Sequence, residues 1–161
     1  MKKIVLARVD DRLVHAEVLA VWVPNLKANR IIVVDDKVAA DKQRSRVIKE
    51  LATPGMVIHV YDVERAAEKL LEKPSFPGEN VIVLTESPIT FEQLIDKGVD
   101  IKEINLGGMG IRGDRKKLLK RVACDPAEIE SIKHLMTRGV HVFYQTVPGQ
   151  SEEEVESHLN K

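Results

Sequence analysis

The chain has 161 residues, with 25 Lys plus Arg against 25 Asp plus Glu and a net charge of zero. That length suits one domain with one sizeable core, and the balanced charge gives no global attraction to nucleic acid or an anionic membrane. A single cysteine, Cys124, allows no internal disulfide, the start MKKIVLARVDD is too short an apolar run for a signal peptide, and no run approaches the roughly 20 residues of a membrane span, so a cytoplasmic protein without direct membrane insertion is expected.

Short β-rich apolar runs recur along the chain: IVLA at 4–7, RIIVV at 30–34, MVIHVY at 56–61, NVIVL at 80–84, IKEINL at 101–106, RVAC at 121–124 and VHVFY at 140–144. The first, second and fourth are nearly continuous, as expected of strands covered on both faces. Helical patterns separate most of them. The first spans about Ala16 to Val23 and is expected to stop at Pro24. Val63, Ala66, Ala67, Leu70 and Leu71 form one apolar stripe. Phe91, Leu94 and Ile95 precede Gly98, a candidate residue just past a helix end. Asp125-Pro126-Ala127-Glu128 reads as N-cap, Pro at the first helical position and acid at the third. Ile129, Ile132, Leu135 and Met136 follow, and Gly139 ends that helix. Ser151 with Glu154 is a capping-box signature for a last helix. The alternation argues for parallel crossover units in an α/β sheet. RVAC breaks it and is read as an added strand, with antiparallel pairing open. EKPSFPGEN at 72–80 is the clearest exposed loop.

Ligands in open α/β sheets bind beyond the carboxyl ends of the strands. The charged cluster Arg8, Asp10, Asp11, Arg12 and His15 occupies that position after the first strand. His15 falls at or just before a helix N-terminus, where free N–H groups and the dipole favour an anion. Arg8 and Arg12 add donors suited to phosphate oxygens. A neutral histidine is a nucleophile, and Asp10 or Asp11 is placed to hydrogen-bond its ring or to hold an arginine. Positioning and charge stabilisation are most of what phosphoryl transfer requires. The bland alternative is a solvated surface histidine among ordinary ion pairs.

"RVDDRLVHAEVLAVWV" resembles the phosphohistidine loop of the enzyme IIB components of the mannose/fructose/sorbose family of the bacterial sugar phosphotransferase system (PTS). The usual pattern is close to R-I-D-D-R-L-I-H-G-Q-V, followed by a tryptophan, and Arg8, Asp10, Arg12, His15, Val18 and Trp22 fall into place. The likeness continues through "NRIIVVDDKVAADKQR", "LTESPITFEQLIDKGVDIKEINLGGMGIR" and "RGVHVFYQTVP", so residues 1–161 are expected to form one IIB domain. The resemblance implies an α/β fold with a mostly parallel central sheet and helices on both faces; with the apolar runs above, about seven strands are expected, one of them a candidate antiparallel strand. It implies a phosphoryl carrier and transferase in which His15 accepts the group on Nδ1 from a phosphorylated IIA protein or domain. The group then passes to a sugar held by the membrane components IIC and IID. Arg8, Arg12 and the N–H groups around Ala16 and Glu17 would surround the phosphoryl group, with Asp10 orienting. No metal or organic cofactor is implied. Ala16 and Glu17 stand where the family pattern has Gly and Gln. Ala restricts the backbone, and Glu17 places a negative charge beside a phosphohistidine.

Two other readings stand beside this one. Asp10-Asp11, Asp62 and Thr85 mimic a receiver domain phosphorylated on aspartate, but no Lys-Pro follows strand five. A sensing or regulatory module of the same fold, without efficient transfer, is the non-enzyme alternative that Ala16 and Glu17 keep open. "GGMGIRG" lacks both the GK[ST] of a P-loop and the G-x-G-x-x-G spacing, and reads as a loop near the carboxyl edge of the sheet. His59 and His141 lie in strand patterns and His134 and His158 on helix patterns, with no trustworthy metal-ligand spacing. Trp22 and Cys124 read as packing residues.

Overall fold

A computed structural model describes residues 1–159. The central sheet has seven strands in the order β3-β2-β4-β1-β5-β8-β9. These are β1 (Lys3–Asp10), β2 (Arg30–Val34), β3 (Val57–Tyr61), β4 (Asn80–Thr85), β5 (Glu103–Gly108), β8 (His141–Tyr144) and β9 (Glu153–Glu154). All neighbours pair in parallel except β8 and β9. Among the described residues, no helix is long and apolar enough to cross a membrane.

The nearly continuous apolar strands are explained by two cores. Successive strand residues point to opposite faces. Ile32, Val34, Val81 and Val83 therefore join one cluster, with Ala66, Leu70, Phe91, Leu94, Ile132 and Leu135. Their alternates Ile31, Val33, Ile82 and Leu84 join the other, with Leu13, Val18, Trp22 and Ile48. The first cluster packs α4 (Val63–Leu71), α5 (Pro88–Asp96) and α6 (Pro126–Thr137) on one face. The second packs α1 (Val23–Leu26) with the turn before it, and α3 (Lys42–Lys49), on the other. The expected caps are in place. Asp125 accepts from Glu128 N–H at 2.7 Å in a complete capping box, and Gly98 and Gly139 adopt φ of +99° and +84° just past α5 and α6.

Three expectations are corrected, and two helices had no counterpart in the sequence patterns. RVAC lies outside the central sheet: Val122–Cys124 (β7) pairs antiparallel with Lys116–Leu119 (β6) in a separate hairpin. The sequence KKLL gave no strand signal because half of it is exposed lysine. The antiparallel seventh strand is instead β9, inside the segment expected as a last helix. There the chain satisfies the open edge of β8 and buries Val155 and Leu159, leaving only a 3-10 turn at Glu156–His158. Pro24 does not stop the first helix, which runs from Ala16 through a π-helical stretch at Val18–Trp22 into α1. Val23 N–H bonds to Val18 O across five residues. This wider turn immediately before Pro24 accommodates a residue that has no N–H to give. Finally, α2 (Asp36–Ala40) and α3 went unrecognised. Their caps, Asp35 to Val38 N–H at 2.9 Å and Asp41 to Arg44 N–H at 3.0 Å, sit in a charge-rich stretch with few apolar residues.

Candidate phosphotransfer site

β1 is central and runs on to Asp10, so Arg8 and Asp10 belong to the strand rather than to the loop after it. Both are fully buried. The chain turns immediately afterwards, with Leu13 N–H donating to Asp10 O at 2.9 Å. Leu13 has φ of +54°, a conformation that is strained for a side chain of its size. Its side chain is buried in the second core cluster, with Val14 beside it. Burial of these two apolar groups offsets the strain and anchors the loop that carries His15.

His15 acts as an N-cap for the first helix. Its C=O accepts Leu19 N–H at 3.0 Å, and its Nδ1 accepts Glu17 N–H at 3.3 Å. On the other side of the ring, Nε2 lies 3.2 Å from Asp10 Oδ2. An ionised carboxylate only accepts hydrogen bonds. This network therefore assigns the proton to Nε2 and leaves Nδ1 unprotonated, its lone pair facing the Glu17 N–H.

Asp10 is the hub. Arg12 grips it with a fork, Nε to Oδ1 at 3.0 Å and Nη2 to Oδ2 at 2.8 Å, and its own backbone N–H donates to Oδ1 at 3.1 Å. Arg8 Nη2 reaches Oδ2 at 3.2 Å. Burial by itself would raise the Asp10 pKa. The hydrogen bonds from His15 and Arg12 and the charge of Arg8 outweigh it and hold the carboxyl well below the usual carboxylate range. The same fork pushes the Arg12 guanidinium further toward its charged form.

The two arginines differ. The Arg12 side chain is 45% exposed and Arg8 is wholly enclosed. Arg8 Nη1 donates to Asn105 Oδ1 at 2.7 Å and Gln145 O at 3.1 Å, and the Trp22 ring lies 5.3 Å from its Cζ. Its Nε is buried without a hydrogen-bond partner among the described residues. Burial lowers the Arg8 pKa, opposed by Asp10 and Glu17. Glu17 lies between the pair, with Oε1 3.5 Å from Arg8 Nη2 and Oε2 3.7 Å from Arg12 Nη1. Ala16, at the first helical position, is exposed.

The sequence reading assigned no site role to Asn105, Gly107 or Arg115, and offered Asp11 as an alternative to Asp10 for bonding the ring or holding an arginine. Asn105 and Gly107 come from the INLGG run, quoted above only for its resemblance. Asp11 accepts Gly110 N–H at 2.7 Å and takes Arg115 Nη1 on both oxygens at 3.0 Å. Arg115 is almost buried and also binds Glu128, Nε to Oε1 at 2.8 Å and Nη2 to Oε2 at 2.9 Å, and Glu86 O at 2.9 Å. Its pKa rises well above its usual value: burial opposes this, and Glu128 and Asp11 override it. The glycine-rich loop is thus tied to the histidine loop through Asp11. Only long-range contacts reveal this, because 104 residues separate Asp11 from Arg115.

The receiver-like arrangement does not assemble. β2 and β4 stand between β3 and β1, so Asp62 is remote from Asp10-Asp11, and its carboxylate caps α4 by accepting Arg65 N–H at 2.7 Å. Among the described residues, no group of three or more His, Cys, Asp or Glu side chains is placed to hold a metal ion.

Comparison with known proteins shows the family and the fold. Residues 4–161 match the family model of the PTS system sorbose subfamily IIB component. The mannose-specific EIIAB component of Escherichia coli K12 is 38% identical over 142 residues, 88% of this chain; the chain spans 44% of the length of that relative. The fructose-specific EIIB component of Bacillus subtilis is 33% identical, covering 96% of this chain and 94% of the relative. Among solved structures, the IIBSor domain of the sorbose permease from Klebsiella pneumoniae superposes with a TM-score of 0.90 at 33% identity, covering 98% and 96% of the two chains. The N-acetylgalactosamine-specific IIB component 1 of Escherichia coli gives 0.86 at 31% identity, covering 94% and 99%.

Proposed function

Because the chain belongs to the IIB components of the PTS sorbose subfamily, we propose that it carries a phosphoryl group on His15 in sugar uptake. His15 accepts the group from a phosphohistidine on a IIA protein or domain. It then passes the group to a sugar hydroxyl held by the membrane components IIC and IID, and the chain works at the cytoplasmic side.

The observation that carries this reading is the pairing of His15 Nε2 with Asp10 at 3.2 Å, which leaves Nδ1 as the unprotonated ring nitrogen, facing the Glu17 N–H at 3.3 Å. In the first transfer Nδ1 attacks phosphorus. The donor's P–N bond breaks, and its electron pair returns to the donor ring. The His15 ring, still protonated on Nε2, becomes cationic. Asp10 already lies where that charge develops, which is preorganised electrostatic stabilisation. The phosphoryl oxygens then take the place of the Nδ1 lone pair as acceptors for Glu17 N–H, with the exposed Arg12 guanidinium alongside. In the second transfer the sugar oxygen attacks, the P–Nδ1 pair returns to the ring, and the hydroxyl proton is lost to solvent. Arg8, enclosed behind Asp10, acts on the site through that carboxylate.

The test is to treat the protein with phosphoramidate, or with a phosphorylated IIA protein, and map the modified residue by mass spectrometry. Phosphate on His15, absent from His15→Ala, is the expected result. Phosphate on an aspartate, or labelling of His15→Ala at the wild-type rate, overturns the assignment.

A further inference from the structure

Glu17 is the residue at which this chain departs from the charge pattern of the phosphohistidine loop, and its side chain is not turned away. Its two carboxylate oxygens reach Arg8 Nη2 at 3.5 Å and Arg12 Nη1 at 3.7 Å, while its own N–H points at His15 Nδ1 from 3.3 Å. The same residue thus sets its backbone N–H against the nitrogen that would bear the phosphoryl group and its carboxylate against the two arginines of the site. It also pairs at 3.7 Å with Arg12 Nη1, the guanidinium nitrogen not engaged by Asp10. Both ion pairs are longer than the Arg12–Asp10 contacts, and the Glu17 side chain keeps 21% exposure. It is a loosely held anion with an open route to solvent.

Resting on the reading of His15 as a phosphoryl carrier, we propose that the Glu17 carboxylate is a resident competitor for the phosphate seat. It fills the seat when His15 is unmodified and must leave when a phosphoryl group arrives. A dianion and a carboxylate drawn to the same Arg12 guanidinium repel one another. The consequence is directional. Phospho-His15 is less favourable here than it would be with a neutral amide at position 17, so the group is passed on more readily and retained less. Glu17 thereby sets the phosphoryl-transfer potential of the carrier. In the unmodified protein it also screens Arg12 from stray anions.

The experiment measures binding of inorganic phosphate to the unmodified protein, read from the His15 ring resonances by NMR. Glu17→Gln is expected to bind phosphate about threefold to tenfold more tightly at low salt, with the gap narrowing as salt is added. Glu17→Asp keeps the charge but shortens its reach and is expected to fall between the two. Equal phosphate affinity in wild type and Glu17→Gln at low salt overturns the inference, as does a Glu17→Asp affinity weaker than wild type. The two readings separate cleanly. Tighter phosphate binding in Glu17→Gln without phospho-His15 in the mass-mapping experiment sinks the carrier reading and leaves the seat. Phospho-His15 with equal phosphate affinities does the reverse.

Discussion

The Arg8 guanidinium lies across the bare α-carbon of Gly107, so that a Cβ at Gly107 would sit 2.2 Å from Arg8 Cζ. β1 and β5 are neighbours, and only glycine leaves room for the planar group between them. Gly107→Ala is therefore expected to displace Arg8 from Asp10 and Asn105. Overpacking a closed site costs about 1–3 kcal/mol, and the expelled charge adds to it. Chemical denaturation should show the loss, and phosphorylation of His15 should slow because Asp10 loses its rear support. Wild-type stability and rate in Gly107→Ala would show that Arg8 is not held there.

Asp10 predicts a pH dependence. Its folded-state pKa is depressed, so its charge stabilises the fold above its unfolded value of about 3.9. That contribution is lost as pH falls through the folded value. Wild-type stability should begin to decline below about pH 5 and continue falling to the lowest accessible pH. Asp10→Asn should be less stable at pH 7, because Arg8 and Arg12 lose their shared counter-ion, and its profile over the acid range should be flatter. Thermal melts at several pH values check this; parallel profiles for the two proteins contradict it.

Arg12→Lys separates charge from geometry. Lysine keeps the charge but cannot reproduce the Nε and Nη2 fork on Asp10. Because the Arg12 side chain is 45% exposed, the stability loss is expected to stay under about 1 kcal/mol. Phosphoryl transfer should slow by at least about tenfold, as loss of an aligned donor near developing charge does. Melting temperature and transfer rate measured on the same samples decide it. Near-normal transfer would mean that charge alone suffices.

Arg115 is the strut between the glycine-rich loop and the histidine loop. Arg115→Met leaves Glu128 enclosed without its cation and takes from Asp11 its buried partner, leaving it the Gly110 N–H and the exposed Arg112. Removing one partner of a buried pair costs about 3–5 kcal/mol. Urea denaturation should show that loss, and Asp11→Asn, which spares Glu128, should lose less while still slowing transfer. Equal stability of Arg115→Met and wild type would remove the strut from this account.

The sequence by itself determined the alternation of strands and helices, the two-faced burial of β2 and β4, the caps of α5 and α6, and the charged cluster at the carboxyl end of the first strand. Each is local, carried by periodicity or by residue types within one turn. The same local rules misjudged Pro24, because the wider turn that accommodates it leaves no mark in residue type. They also misjudged the segment from Ser151. Its capping signature was outweighed by the open edge of β8 and the burial of Val155 and Leu159, both properties of distant chain. The roles within the charged cluster were decided only by the tertiary structure. Arg8 and Arg12 are equal in sequence, yet Gly107, Asn105 and Gln145 enclose one and solvent reaches the other. Burial depends on which strands become neighbours, and placing β1 between β4 and β5 is a choice of long-range packing that no window of sequence contains.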